Sequence, residues 1–312
     1  MDDVPVIDLS GARPSRHALD RACREHGFFL LCGHDLDDLI ERTWRATREF
    51  FATDRSNRLA VVRSETNPLG YFDRELTKRR RDHKEVFDFI DPRRPALDAI
   101  NQWPQVPAQF RDIMVEFFDG FSRLASDTLD VILDALGLTG AERDAIASAP
   151  SSSTVRLNHY TVGDPVPASE RDGLAELGDT ALGLHTDPGV LTLLLQDDTG
   201  GLQTQNLRGE WVDVPPTPGT VVVNLGDCMQ VWTNDQYRAA IHRVLPVPTS
   251  RFSIPFFSNP GRGSTIAPAP ALVEDRPRYR PVDWDAFSAA RAYDNFTDLG
   301  VADTQISDFL LG

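Results

Sequence analysis

Cysteine is scarce. Cys23, Cys32 and Cys228 are the only three in 312 residues, an odd and widely spaced set that makes neither a disulfide framework nor a C-x-x-C metal pattern. They are expected to be buried or free thiols. Long apolar runs are missing too: none approaches the ~20 residues that span a bilayer, and the opening Met1-Asp2-Asp3-Val4-Pro5 lacks the basic and apolar regions of a signal peptide. A soluble, cytoplasmic protein with no membrane partner is expected. Positive charge is in short supply, with 32 Lys and Arg against 47 Asp and Glu and a formal charge of −15. Phosphate backbones and anionic surfaces are bound by net positive patches, so no nucleic-acid partner is expected and a small-molecule substrate is the better expectation. Repeats and low-complexity segments are absent, and nothing in the sequence indicates an oligomeric state. One local exception to the acidity is Lys78-Arg79-Arg80-Arg81, followed by His83 and Lys84. It reads as a solvated basic face or as a guide for acidic substrates.

What is present is 41% hydrophobic residues, enough for a substantial core in a single compact domain over 1–312. Val4 to Ser10 reads as a short strand, Pro14-Ser15 precedes a helix to about Glu25, and Gly27 to Gly33 is a glycine-bounded buried strand. A second helix is expected over about Asp35 to Phe51. A third runs over about Pro107 to Leu136, where Phe110, Met114, Phe117, Phe118, Phe121 and Leu124 form a core stripe. From Ser151 the pattern changes to short strands separated by glycine, proline and Asn/Asp turns. The expected strands are 155–160, 182–186, 190–196, 202–206, 211–214, 220–225, 240–244 and 253–257, the eight that a double-sheet jelly roll requires. The fold class is therefore α+β with a mainly β core, a distorted jelly roll flanked by helices. Its parts are an N-terminal α/β region (4–105), a helical region (106–150), the jelly-roll catalytic core (151–260) and a C-terminal extension (261–312). That extension, with a helix around Trp284 to Tyr293, packs on the core or acts as a lid.

The chemistry is carried by Gly183-Leu184-His185-Thr186-Asp187, Ala240-Ile241-His242 and Arg251-Phe252-Ser253. On a strand His185 and Asp187 share a face; on a helix they would diverge by roughly 200°. Two neutral imidazoles and one carboxylate on one side of a metal leave positions open for co-substrate and oxygen, the arrangement of non-haem iron(II) oxygenases. Zinc is the rival metal, but the helical His-Glu-x-x-His pattern of zinc hydrolases is absent. Arg251 can take a carboxylate through two parallel hydrogen bonds, and Ser253 on the same strand face adds a hydroxyl. Tyr160 can donate to the same carboxylate, and Asn158, two residues earlier, contacts the co-substrate or shapes its pocket. His159 points away and packs. No further catalytic residue is nominated.

These residues resemble the plant-type and microbial iron(II)/2-oxoglutarate dioxygenases related to isopenicillin N synthase. The resemblance runs over most of the chain, through Pro5-Val6-Ile7-Asp8-Leu9, Gly27-Phe28-Phe29, Gly70-Tyr71-Phe72, Lys84-Glu85-Val86-Phe87-Asp88, Trp103-Pro104, Asn158-His159-Tyr160, His185-Thr186-Asp187, Asn224-Leu225-Gly226-Asp227, Thr233-Asn234, His242-Arg243-Val244 and Asn259-Pro260. One departure is Thr161, where the family commonly has proline. The resemblance implies iron(II), 2-oxoglutarate and O2. It also implies oxidative decarboxylation to succinate and carbon dioxide coupled to hydroxylation, desaturation or cyclisation of a small metabolite. Some family members keep the Arg-x-Ser motif without consuming 2-oxoglutarate, so a co-substrate-free iron oxidase is the alternative, with a non-catalytic binding protein on the same fold as a third reading. By resemblance the substrate pocket is lined by Tyr71, Phe72, Phe87, Phe89, Gln203, Phe256 and Phe257, each of which ordinary core packing would also explain. Arg74 or Lys78 near its mouth would suit a carboxylated or amino-acid-like metabolite.

Overall fold

Two sheets face one another, and helices cover the outer face of the larger one. The computed structural model describes residues 4–11, 14–77, 79–293 and 304–312. The major sheet has eight strands, in the spatial order Val6–Asp8, Phe28–Cys32, Val221–Leu225, Leu191–Gln196, Arg251–Ser258, Thr154–Tyr160, Lys84–Ile90 and Gly70–Phe72. All neighbours are antiparallel except the first pair, which is parallel. The minor sheet orders Trp211–Asp213, Leu202–Gln205, His242–Val244 and Leu182–His185. The eight strands expected after Ser151 divide equally between the sheets, four to each. The jelly roll is thus extended by strands from the N-terminal half, of which Gly70–Phe72 and Lys84–Ile90 were not anticipated.

Every second residue of a strand faces the same way, and the two faces of the major sheet have different partners. Its outer face packs on the helix Phe110–Ala135, which buries Phe110, Met114, Phe117, Phe118, Phe121 and Leu124 at the spacing its sequence showed. The helices Arg16–Glu25 and Asp37–Ala52 complete that layer. Ser15 caps the first of them, its hydroxyl accepting from the Ala18 N–H. The inner face meets the minor sheet around a smaller cluster that includes Phe28, Leu30, Val222, Leu202 and Val244.

This division corrects part of the pocket expectation. Tyr71, Phe87 and Phe89 face the helices: Phe87 packs edge-on to Phe50 and Phe110 at 5.0 and 5.3 Å, and Phe89 lies 5.2 Å from Trp103. Phe256 does likewise, 5.3 Å from Phe118. All four belong to the large core. Gln203 sits on the outer side of the minor sheet, bonded to Asp213 and Arg243. Phe72 and Phe257 are on the inner face, because they share registers with Val86 and with Thr192.

The basic run is corrected as well. Arg79 and Arg80 fit a solvated face, Arg80 half exposed beside Glu176. Arg81 is buried in a bidentate pair with Asp164 at 2.7 and 2.8 Å, and Lys84 is buried between Glu75 and Asp82. Lys78 lies outside the described residues. At the other end of the chain the helix Trp284–Tyr293 follows a two-stranded ribbon, and its Trp284 and Phe287 join the large core.

Because Phe87 is enclosed by aromatic rings on the helix side, Phe87→Ala should destabilise the fold by about 3–5 kcal/mol while leaving 2-oxoglutarate affinity unchanged. Urea unfolding and ligand titration check this; an intact midpoint with altered ligand affinity would put Phe87 back in the pocket.

Candidate metal centre and co-substrate clamp

His185 ends the minor-sheet strand Leu182–His185 and stands opposite His242 on the neighbouring strand, with ring centroids 4.3 Å apart. The strand stops at His185, so the turn that follows it, rather than strand alternation, brings Asp187 round to the same place. One donor atom from each of His185, Asp187 and His242 lies within 4.8 Å of the others. Backbone carbonyls orient both rings: Nδ1 of His185 donates to Gly183 O at 2.8 Å and Nδ1 of His242 to Ala240 O at 3.2 Å. A carbonyl can only accept, so each Nδ1 carries the proton and each Nε2 keeps its lone pair. Those Nε2 atoms lie 3.7 and 3.8 Å from Asp187 Oδ1. The other oxygen, Oδ2, accepts from the Thr192 hydroxyl at 2.5 Å and from the Asn224 amide at 2.8 Å. Three unprotonated donors therefore converge, each fixed from behind by a second hydrogen bond, as a metal site requires.

Burial and the neighbouring His242 push the His185 pKa well below its ordinary value. Asp187 is also held below the usual carboxylate range: His242, His185, Asn224 and Thr192 outweigh the opposing effect of burial. Both shifts favour the forms that ligate a cation. The turn bearing Asp187 is clasped by the chain that follows Leu225. Asp227 N–H donates to Asp187 O at 2.8 Å, and Cys228 N–H to Gly189 O at 3.1 Å. Gly226 is required there, since a Cβ would lie 2.1 Å from Gly189 O.

Arg251 opens the central strand Arg251–Ser258 and is fully buried. Its Nε donates to Gly200 O at 2.7 Å and its guanidinium lies over the Tyr160 ring at 4.7 Å, whereas neither Nη1 nor Nη2 has a hydrogen-bond partner. A buried unpaired guanidinium is costly, and an anion with two oxygens would satisfy both nitrogens. Ser253, two residues on and facing the same way, accepts from the Asn158 amide at 3.1 Å, which leaves its own O–H free to donate. Register pairs Arg251 with Tyr160 and Ser253 with Asn158. His159 faces out, between Glu85 and Ser250 and stacked on Phe252.

Comparison with known proteins matches residues 151–260 to the 2OG-Fe(II) oxygenase superfamily and residues 4–106 to the non-haem dioxygenase N-terminal model described from morphine synthesis. The chain is 36% identical to 1-aminocyclopropane-1-carboxylate oxidase 1 of Oryza sativa subsp. japonica, over 87% of this chain and 83% of that one. It is 32% identical to homoarginine-6-hydroxylase 2-ODD-233 of the same plant, over 86% and 84%. The chain belongs to the iron(II)/2-oxoglutarate-dependent dioxygenases. Among solved structures, a full-length Neurospora crassa protein in complex with alpha-KG and 5-formyluracil superposes with a TM-score of 0.76 at 27% identity, over 91% of this chain and 93% of that one. The donor set and the two partnerless terminal nitrogens of Arg251 fit the iron and 2-oxoglutarate that this dioxygenase family uses.

The inner wall of this dioxygenase holds charges that the sequence reading missed. Lys84, Val86 and Asp88 share registers with Tyr160, Asn158 and Arg156, so all six are on the inner face of the sheet with Arg251 and Ser253. Arg156 holds Asp88 at 2.8 Å through two nitrogens and Glu75 at 3.0 Å. Lys84 bridges Glu75 at 3.1 Å and Asp82 at 3.3 Å, and Arg63 reaches Glu75 at 3.1 Å. Burial opposes ionisation of Glu75, but Arg156, Lys84 and Arg63 prevail and hold it well below the usual range. Burial likewise disfavours the Lys84 charge, and Glu75 and Asp82 restore it. The period-two spacing of Lys84-Glu85-Val86-Phe87-Asp88 was the available signal. Arg74, expected near the mouth, is compensated by Glu170 at 2.8 Å and Asp73 at 3.4 Å.

Since His185 is held neutral in the folded state, the unfolded chain takes up a proton below its ordinary pKa of ~6.5 that the folded protein does not. The contribution of neutral His185 to stability is therefore present above that value and lost as pH falls toward the depressed folded one. In metal-free protein the urea midpoint should drop between pH 7 and pH 5, and more shallowly in His185→Gln. Equal slopes for the two proteins would show that His185 is not held neutral.

Proposed function

We propose that His185, Asp187 and His242 hold iron(II) through Nε2, Oδ1 and Nε2, and that Arg251 and Ser253 take the distal carboxylate of 2-oxoglutarate with help from Tyr160 and Asn158. The observation that carries this reading is a three-donor cluster together with a buried arginine, on the inner face of the major sheet, whose two terminal nitrogens lack partners. Iron with 2-oxoglutarate and O2 supplies the oxidising power for C–H cleavage, with succinate and carbon dioxide as by-products. The chain's own part is to hold the imidazoles neutral, fix the carboxylate by Thr192 and Asn224, orient the co-substrate from Arg251, and keep water away from the reacting centre.

The substrate is a small metabolite carrying a carboxylate and an amine, an amino acid or a close derivative. Its support is the inner wall, where Lys84, Asp88 and Arg156 on the sheet face that bears the clamp are paired with Glu75, Asp82 and Arg63 from the loops beside it. An apolar ligand would gain nothing from such a wall, whereas a zwitterion meets both signs at short range. Phe72 and Phe257 supply apolar surface on the same face. The two plant relatives, a homoarginine hydroxylase and an aminocyclopropane carboxylate oxidase, are named for amino acids and point the same way.

Iron-loaded protein incubated with 2-oxoglutarate and O2 should form succinate, and Arg251→Met should raise the KM for 2-oxoglutarate by about 10-fold or more, as expected for loss of a charged hydrogen-bonding partner. No succinate in any mixture despite bound iron would favour the co-substrate-free oxidase. With an amino-acid substrate identified by screening, Glu75→Gln should lower its kcat/KM while leaving substrate-free decarboxylation intact. Equal use of the amino acid and its uncharged analogue would remove the zwitterion assignment.

A further inference from the structure

The face of the helix Trp284–Tyr293 that turns toward the protein is made by positions 284, 287, 288 and 291, the spacing of one helical stripe. Trp284 and Phe287 are apolar and buried in the large core. The fourth position is an arginine, and its target is the metal centre. Nη2 of Arg291 donates to the carbonyl of Thr186 at 2.6 Å, and Nη1 donates to Thr304 O at 3.3 Å. Thr186 is the residue between His185 and Asp187, so a side chain 105 residues away in sequence is fastened to the backbone between two of the ligands.

A second observation concerns the same spot. Asp227 is buried, neither of its carboxylate oxygens has a hydrogen-bond partner of good geometry, and its backbone N–H is bonded to Asp187 O. Burial raises its pKa to about 6, with the Arg291 guanidinium foremost among the groups opposing that rise. The turn 185–189 is thus gripped from two sides: by the chain at Gly226-Asp227-Cys228 through its own backbone, and by Arg291 through the carbonyl of the residue between His185 and Asp187. A charge-assisted hydrogen bond of this length is among the stronger ones available to a protein. It falls on a peptide unit whose rotation would swing His185 and Asp187 apart.

We propose that Arg291 is a positioning residue for the metal centre, and that through it the C-terminal helix and the metal are thermodynamically coupled. The bond holds the turn in the conformation that presents both donors. The metal holds the same conformation, so each favours the other, and linkage requires the effect to be reciprocal. This inference rests on the reading that His185, Asp187 and His242 bind iron.

The test is anaerobic Fe(II) titration of the full-length protein and its variants, followed by hydrogen exchange with and without the metal. Arg291→Met should bind Fe(II) about 10–100-fold more weakly, the usual effect of losing a group that orients a metal ligand. Arg291→Lys, which can still donate to the carbonyl, should recover part of that loss. In the wild type, Fe(II) should slow amide exchange across Trp284–Tyr293, a readout that does not depend on any variant folding. Fe(II) affinity within twofold of wild type in folded Arg291→Met, or exchange in that helix indifferent to the metal, would overturn the inference. A wild type that binds no Fe(II) would instead overturn the ligand assignment on which it rests.

Discussion

One sheet has to satisfy two environments with alternate residues of the same strands. The strand Arg251–Ser258 shows the constraint: Arg251 and Ser253 face the minor-sheet side, while Ile254 and Phe256 belong to the core under the helix Phe110–Ala135. The neighbouring Lys84–Ile90 does the same, with Lys84 and Asp88 inside and Phe87 and Phe89 outside. Helix packing anchors the odd or even half of each strand in close-packed aromatic contacts. That anchoring keeps the polar half in register, so the clamp, the inner charges and the hydrogen bonds to Asp187 all depend on it.

Much of this was legible in the chain. The strands after Ser151 announce themselves by turn residues at short intervals, and the long helix by its aromatic stripe, because both signals are local. The clustering of His185, Asp187 and His242 and the shared face of Arg251 and Ser253 were also readable, since their chemistry is unusual in combination. Facing was harder. Tyr71 with Phe72, and Phe256 with Phe257, are adjacent pairs, and alternation forbids both members of such a pair from facing one cavity. Once Arg251 and Ser253 are placed inside, Phe257 goes with them and Phe256 does not. Gln203 needed the pairing of two strands that are distant in sequence, and Arg291 needed the path of the C-terminal extension. Neither is a local property of the chain.

The net charge of −15 concealed an interior in which acids and bases are balanced. Arg63, Lys84, Glu75, Asp82 and Asp88 are buried and Arg156 is partly so, and their pairings bring opposite charges to about hydrogen-bond distance. Desolvation works against every one of these charges, so an apolar wall would have been the more economical way to build the same strands. A wall of paired charges is instead a polar environment set in place before any ligand arrives. The same is true of the neutral imidazoles, whose protons are assigned by the carbonyls of Gly183 and Ala240.

The close approach of Gly226 to Gly189 carries a consequence for how this protein matures. With no side chain between them, the turn bearing Asp187 is pinned by backbone bonds that form as the chain folds. Most of the conformational entropy of the turn is thus lost during folding, which leaves only its remaining freedom for Arg291 and a bound metal to restrict. A small zinc domain needs its ion in order to fold; here the large aromatic core supplies that drive. Synthesis and folding can be complete before iron is encountered, and loading becomes a late, reversible step in the life of an already finished protein.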